Sequence, residues 1–334
     1  MKILMCLIML LTLPYHKNNN ENIACRSYVV MEAVDGKILE GKEVCLQRSV
    51  ASISKIMTAI IALESYKIYD IVEIGDEIDN VVGSAIYLEK GTKITIIDLV
   101  YGLLLRSGND AAMTIAYHIG NKNIASFVTL MNQKALEIGM KHSIFNNPHG
   151  LDIDEEGNIS CALDMALLMR YCNKNELFRK ISETKNYRVH NIGTWKNKNK
   201  LLHNYEYCIG GKTGFTAKAK RTLVTASKKD NFELIVVTLD CGNDFNVHRY
   251  LYNKYFNEYI FLILMDKGIN YIDGYKFNCA YKIGVMIDKK RMNNLLIIYY
   301  FNIDELMLNF TLCYQDGTKE EIGPHKIEHF ERIS

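Results

Sequence analysis

Proline is scarce in this chain, three residues in 334, and there is neither an internal repeat nor a low-complexity linker to suggest a repeat array or flexibly tethered modules. No apolar run is long enough to cross a bilayer, which takes about 20 residues; the longest at the start, Ile3 to Leu13, ends at Pro14. No excess of one charge exists either. Lys and Arg number 40 against 38 Asp and Glu, a formal +2 with the basic residues scattered, which gives no case for nucleic acid as a partner. Cys-x-x-Cys pairs are missing and no His-rich spacing suggests zinc, and no cofactor motif stands out.

What is present is an ordinary globular composition, 49% apolar and 23% charged, in a chain long enough for one large domain and a small one. Met1-Lys2 followed by the Ile3–Leu13 run reads as a secretory signal, residues 1–24 with an open cleavage point, and implies an extracytoplasmic protein. Nine cysteines are many for an exported protein, and the odd count leaves at least one free or lost with the signal, as Cys6 would be. Most of the rest read as buried thiols behaving like small hydrophobes.

Ser27 to Leu39 reads as two short strands around an Asp35-Gly36 turn. From Ser54 to Tyr66 the apolar residues Ile56, Met57, Ile60, Ile61 and Leu63 recur at helical spacing, which places Ser52 at the first turn and Lys55 one turn on along the same face. Further helices are expected over Ile96–Leu105, Ala111–Ile119, Phe127–Ile138, Leu163–Tyr171 and Arg249–Ile263. Strands are expected over Lys212–Thr216, Thr222–Ala226 and Glu233–Asp240, then over Ala280–Ile287, Leu295–Phe301 and Leu306–Tyr314. Helices in the middle with strands at both ends imply an α+β fold, one antiparallel sheet covered by helices over residues 25–266, followed by a small β-rich domain over 267–334.

Three short motifs carry chemistry: Ser52-Ile53-Ser54-Lys55, Ser107-Gly108-Asn109 and Lys212-Thr213-Gly214. Singly each is weak, and the chain holds a second Ser-x-x-Lys match, Ser182-Glu183-Thr184-Lys185, with no helical pattern behind it. In combination they are specific. A serine hydroxyl needs a base, and Lys55 beside Ser52 is one if burial and a second cation lower its pKa from about 10.4. Lys212 is a candidate for that cation. Ser107 adds a hydroxyl able to relay a proton, and Asn109 an amide for Lys55 or the substrate backbone. Lys212 and Thr213 on a strand edge offer a cation and a hydroxyl to a carboxylate, and Gly214 leaves room for a peptide along the strand. The backbone N–H groups of Ser52 and Phe215 are candidates for an oxyanion hole. His149, in a Pro-His-Gly loop, reads as structural.

With these residues placed, the chain over roughly Tyr28 to Phe256 resembles the low-molecular-mass penicillin-binding proteins, specifically the serine-type D-alanyl-D-alanine carboxypeptidases. The likeness extends to Ala51–Ala59, Ser107–Ala112, Phe145–Asp152, Asp164–Ala166, Asn197–Leu202 and Gly210–Thr216. It implies a β-lactamase/transpeptidase-like catalytic domain, Ser52 as acylated nucleophile, Lys55 as base, Ser107 and Asn109 as partners, Lys212 and Thr213 as carboxylate binders, and no metal or organic cofactor. The implied substrate is a peptidoglycan stem peptide ending in D-Ala-D-Ala, with β-lactams as covalent inhibitors and a peripheral membrane or cell-wall association.

Departures are visible. Gly211 stands where a β-branched residue is usual before Lys212, Ala219-Lys220-Arg221-Thr222 lacks a small pair and a Cys, and the carboxylate-binding arginine has only Arg249 as a candidate. The alternatives are a catalytically weak penicillin- or wall-binding protein, and a serine β-lactamase, for which Glu155 or Glu156 would have to activate the deacylating water.

Overall fold

The computed structural model describes residues 4–7, 23–152, 157–189 and 192–332. Of the segment read as a signal, residues 1–24, the described residues include only 4–7 and 23–24, and Glu155 and Glu156 lie outside them. The chain forms two compact units, one of Glu21–Lys228 with Glu233–Tyr252, the other containing Asn253–Ser334 with Lys229–Phe232.

The first unit is built on a five-stranded sheet of β1 (Cys25–Glu32), β2 (Ile38–Lys42), β3 (Cys208–Thr216), β4 (Lys220–Lys229) and β5 (Phe232–Cys241), in the order β3-β4-β5-β1-β2. The central β5, Phe-Glu-Leu-Ile-Val-Val-Thr-Leu-Asp-Cys, is buried on both faces, as a near-continuous β-branched and aliphatic run should be. It pairs antiparallel with β1, Val236 opposite Val30. At the edge, β3 lies antiparallel to β4 with Lys212 opposite Val224 and Gly214 opposite Thr222. Cys25 and Cys241, register partners, form a disulfide.

Among the helices that accompany the sheet are α1 (Lys55–Glu64), α2 (Ile96–Tyr101), α3 (Asn109–Ile119), α4 (Ile124–Ile138) and α5 (Ala162–Cys172). Every residue of α1 from Lys55 to Leu63 is buried, so it is a central helix rather than a surface one. Its Ile56, Met57 and Ile60 share one core with Leu99, Ile115, Phe127 and Ile235. The caps explain the starts: the Thr95 hydroxyl accepts the Asp98 amide and the Asn123 side chain the Ser126 amide.

The second unit is a six-stranded sheet in the order Leu4–Leu7, Leu296–Asn302, Met307–Cys313, Lys319–Arg332, Tyr275–Cys279, Gly268–Ile272, with a separate pair Tyr259–Met265 and Ile283–Asp288. Its own core holds Phe277, Val285, Leu308, Phe310 and Ile327. One expectation is corrected here. The helix read over Arg249–Ile263 runs over Asp244–Glu258, and Tyr259–Met265 is a strand, pairing Phe261 with Met286. A short apolar run has no periodicity of its own to separate helix from strand, and its partner strand decides.

Candidate active site

Ser52 sits in a single 3-10 turn, Ala51–Ser54, that runs directly into α1. Ala51 enters this turn with φ +51°, a left-handed conformation uncommon for a residue with a side chain. The turn and helix bring Lys55 Nζ to 2.9 Å from Ser52 Oγ.

Lys55 has no exposed surface and two further neighbours, Asn109 Oδ1 at 2.7 Å and the carbonyl of His149. Asn109 is oriented by its amide nitrogen, which donates to the Val82 carbonyl at 2.6 Å and so turns Oδ1 toward the lysine. Both oxygens can only accept. As an ammonium, Lys55 donates to Ser52 Oγ as well as to these two acceptors; in the neutral form, which has two N–H groups and one lone pair, both N–H groups given to the acceptors would turn the lone pair to the Ser52 hydroxyl. Burial, then the charge of Lys212, then that of Lys198 hold the Lys55 pKa well below its usual value, against a weaker opposing pull from Asp110.

Ser107 follows the Gly102–Arg106 turn of π-helix and takes φ +66° itself. The sequence expectation of one helix over Ile96–Leu105 is met by α2 and this wider turn together; the added bulge delivers Ser107 into the site. Its Oγ accepts Lys212 Nζ at 2.9 Å, and the same ammonium donates to the Thr213 carbonyl at 2.7 Å. Lys212 is buried, and desolvation, with Lys198 second, lowers its pKa to about 7.

The third motif lies against the first through Gly214. A Cβ there would come to 2.4 Å from Thr222 Oγ1 and 3.0 Å from the Ser52 backbone nitrogen, so only glycine permits this approach. Thr213 is half-buried, and Phe215 is 66% exposed on the strand edge. Structure therefore brings Ser52, Lys55 and Asn109 into one hydrogen-bonded group and Ser107, Lys212 and Thr213 into a second. Gly214 places the two segments in contact.

Several residues outside the motifs serve the site. Asp110 accepts the Ile86 and Leu88 amides and that of Ala111, bracing the start of α3. Ser182, from the second Ser-x-x-Lys match, is buried and accepts the Gly211 amide at 2.9 Å, so it supports the strand that carries Lys212. His149 contributes its carbonyl to Lys55; its buried ring accepts the Leu151 amide, and desolvation, then Lys55, lowers its pKa to about 3. Arg249 donates to Asn204 Oδ1 at 3.0 Å and has no described bond to the motif residues. Among the described residues no cluster of His, Cys, Asp and Glu could hold a metal ion.

Residues 15–243 match the family model described as D-alanyl-D-alanine carboxypeptidase. The D-alanyl-D-alanine carboxypeptidase DacF of Bacillus subtilis is 35% identical over 221 residues, 64% of this chain and 56% of that protein, so the chain spans little more than half the length of this relative. Among solved structures, a D-alanyl-D-alanine carboxypeptidase from Mycobacterium tuberculosis has a TM-score of 0.67 at 25% identity over 73% of this chain and 96% of its own. Penicillin-binding protein 5 from Haemophilus influenzae shares the fold over 94% of this chain and 100% of its own, with a TM-score of 0.76 at 23% identity. The chain belongs to the serine-type D-alanyl-D-alanine carboxypeptidase family of low-molecular-mass penicillin-binding proteins.

Proposed function

We propose that the protein is a serine D-alanyl-D-alanine carboxypeptidase that removes the terminal D-alanine from peptidoglycan stem peptides. The observation that carries this reading is the buried Lys55, held by two pure acceptors and facing Ser52 Oγ at 2.9 Å. In the proposed sequence Lys55 takes the Ser52 proton as Oγ attacks the penultimate D-alanyl carbonyl. The Ser52 and Phe215 amides stabilise the oxyanion, an effect worth about 3 kcal/mol per donor. Lys212 and Thr213 hold the terminal carboxylate, with Asn109 on the substrate backbone or on Lys55. Ser107, between the lysines, carries a proton to the departing amine, and water then releases the acyl-enzyme. β-Lactams, entering by the same attack, form a slowly hydrolysed ester on Ser52.

Action outside the cytoplasmic membrane, after export on the N-terminal segment, completes the proposal. It is supported by the Cys25–Cys241 disulfide, since such bonds persist in oxidising compartments. Among the described residues no helix is long and apolar enough to cross a membrane; peripheral association with the membrane or wall is proposed as the means of retention.

The test pairs the wild type with Ser52→Ala. Each is incubated with a fluorescent penicillin and, separately, with diacetyl-Lys-D-Ala-D-Ala, while label and free D-alanine are followed. Ser52-dependent labelling with D-alanine release is the expected result. Labelling without release would make this a binding protein, and rapid loss of label as hydrolysed penicillin would make it a β-lactamase.

A further inference from the structure

Asp152 belongs to none of the three motifs, yet each of its oxygens holds a different segment of the site. Oδ1 accepts the Ser49 hydroxyl at 2.6 Å, and Oδ2 accepts the Thr216 hydroxyl at 2.5 Å. Thr216 Oγ1 also accepts the Ala219 amide at 3.0 Å, which commits the Thr216 proton to the carboxylate. The seat is close-fitting: a Cβ on Gly157 would come to 2.0 Å from Asp152 Oδ1.

The positions of the two hydroxyls matter. Ser49 is three residues ahead of Ser52, and Thr216 is two beyond Gly214, where β3 meets the backbone of the Ser52 turn. Beside them the Thr222 hydroxyl donates to the Val50 carbonyl at 3.0 Å, a neutral tie between the same two regions. Hydroxyl-to-carboxylate bonds are roughly twice as strong as neutral ones, so Asp152 is the stiffer of these connections.

We infer that Asp152 is a positioning residue that sets the separation between the Ser52 turn and the Lys212–Phe215 strand, and with it the geometry of the oxyanion hole. The inference rests on the proposed roles of Ser52 and of the Ser52 and Phe215 amides. It separates Asp152 from a mere fold staple, because a staple would act on stability and not on the transition state alone.

The experiment measures kcat and KM for D-alanine release, the rate of acylation by a fluorescent penicillin, and thermal melting, for the wild type, Asp152→Ala, Asp152→Asn, Ser49→Ala and Thr216→Val. Loss of one oxyanion donor costs about 100- to 1000-fold and a small misplacement about 100-fold, so Asp152→Ala is expected to lower kcat and acylation by about 10- to 100-fold. KM should stay within about twofold, since ground-state binding does not use the oxyanion hole. Asp152→Asn, which keeps the shape and one acceptor, should fall between. Each single-arm variant should lose less than Asp152→Ala, and adding either to Asp152→Ala should cause no further loss.

Wild-type kcat in folded variants would overturn the inference, as would a loss that only follows the folded fraction. Should Asp152→Ala fail to fold, Ser49→Ala and Thr216→Val decide by the same criteria. If the wild type itself neither takes label nor releases D-alanine, the functional reading falls and this inference with it. An active wild type with indifferent variants removes this inference alone.

Discussion

At the scale of residues, the proposed mechanism gives the two buried lysines opposite tasks: Lys55 must be neutral to take a proton, and Lys212 must be charged to hold a carboxylate. Burial is the first cause of a lowered pKa at both; the charge of Lys212 comes next at Lys55, and that of Lys198 at Lys212. For Lys55 the downward shift favours the neutral form that can take a proton. For Lys212, whose pKa falls to about 7, it means that in the free enzyme the charge is lost as pH rises through neutrality. We therefore expect KM for the peptide to rise between about pH 6 and about pH 9 while kcat holds up to a higher pH, because a bound carboxylate restores the ammonium. A flat KM over that range would remove Lys212 as the carboxylate's cation. Stability has a matching sign. Between about pH 7 and the ordinary lysine range the unfolded chain keeps a proton that the folded one has released, so this group's contribution rises with pH. The lysines and serines of the motifs were legible in the sequence because each motif is local. The His149 carbonyl and the Asp110 and Asp152 carboxylates were not, since they meet their partners across folds of the chain, 94 residues apart for Lys55 and His149.

At the scale of elements, the residue most out of pattern turns out to be required by the backbone. Gly211 has φ +145°, its neighbour Gly210 has φ +139°, and the β3–β4 register shifts between Cys208 and Gly210. A Cβ on Gly211 would come to 2.3 Å from the Val224 carbonyl. Where a β-branched residue is usual, the structure has an irregular strand start, held by Ser182, that needs glycine. Gly211→Val should then destabilise the protein by about 1–3 kcal/mol through backbone strain and overpacking, read as a lower urea midpoint. Wild-type stability would show that the strand can relax to a regular backbone. The helices α1 and α4 were legible from their 3.6-residue apolar period, and the stop of α4 from Gly139, which takes φ +86°. In the second unit the strands Gly268–Ile272, Tyr275–Cys279 and Lys319–Arg332 went unread, because polar residues and glycine interrupt their alternation and their register partners define them.

At the scale of the molecule, each unit has its own apolar core, and in the first the two chain ends of the sheet are joined by Cys25–Cys241. The sequence could not pair these cysteines; nine allow too many connectivities, and the partners lie 216 residues apart. They meet because β5 and β1 are neighbours in register. That separation gives the bond a calculable consequence. Closing a loop of this length in the unfolded chain is worth about 5 kcal/mol of stability on the chain-entropy model. For a unit of this size, 2–4 °C per kcal/mol translates this to a fall in melting temperature of roughly 10–20 °C on reduction. Cys25→Ser should show the same fall and become insensitive to reductant, while the remaining cysteines, most of them buried and unpaired, should add nothing. A wild type whose melting is indifferent to reductant would show that the bond does not carry the fold, and would withdraw one of the supports for an extracytoplasmic site of action.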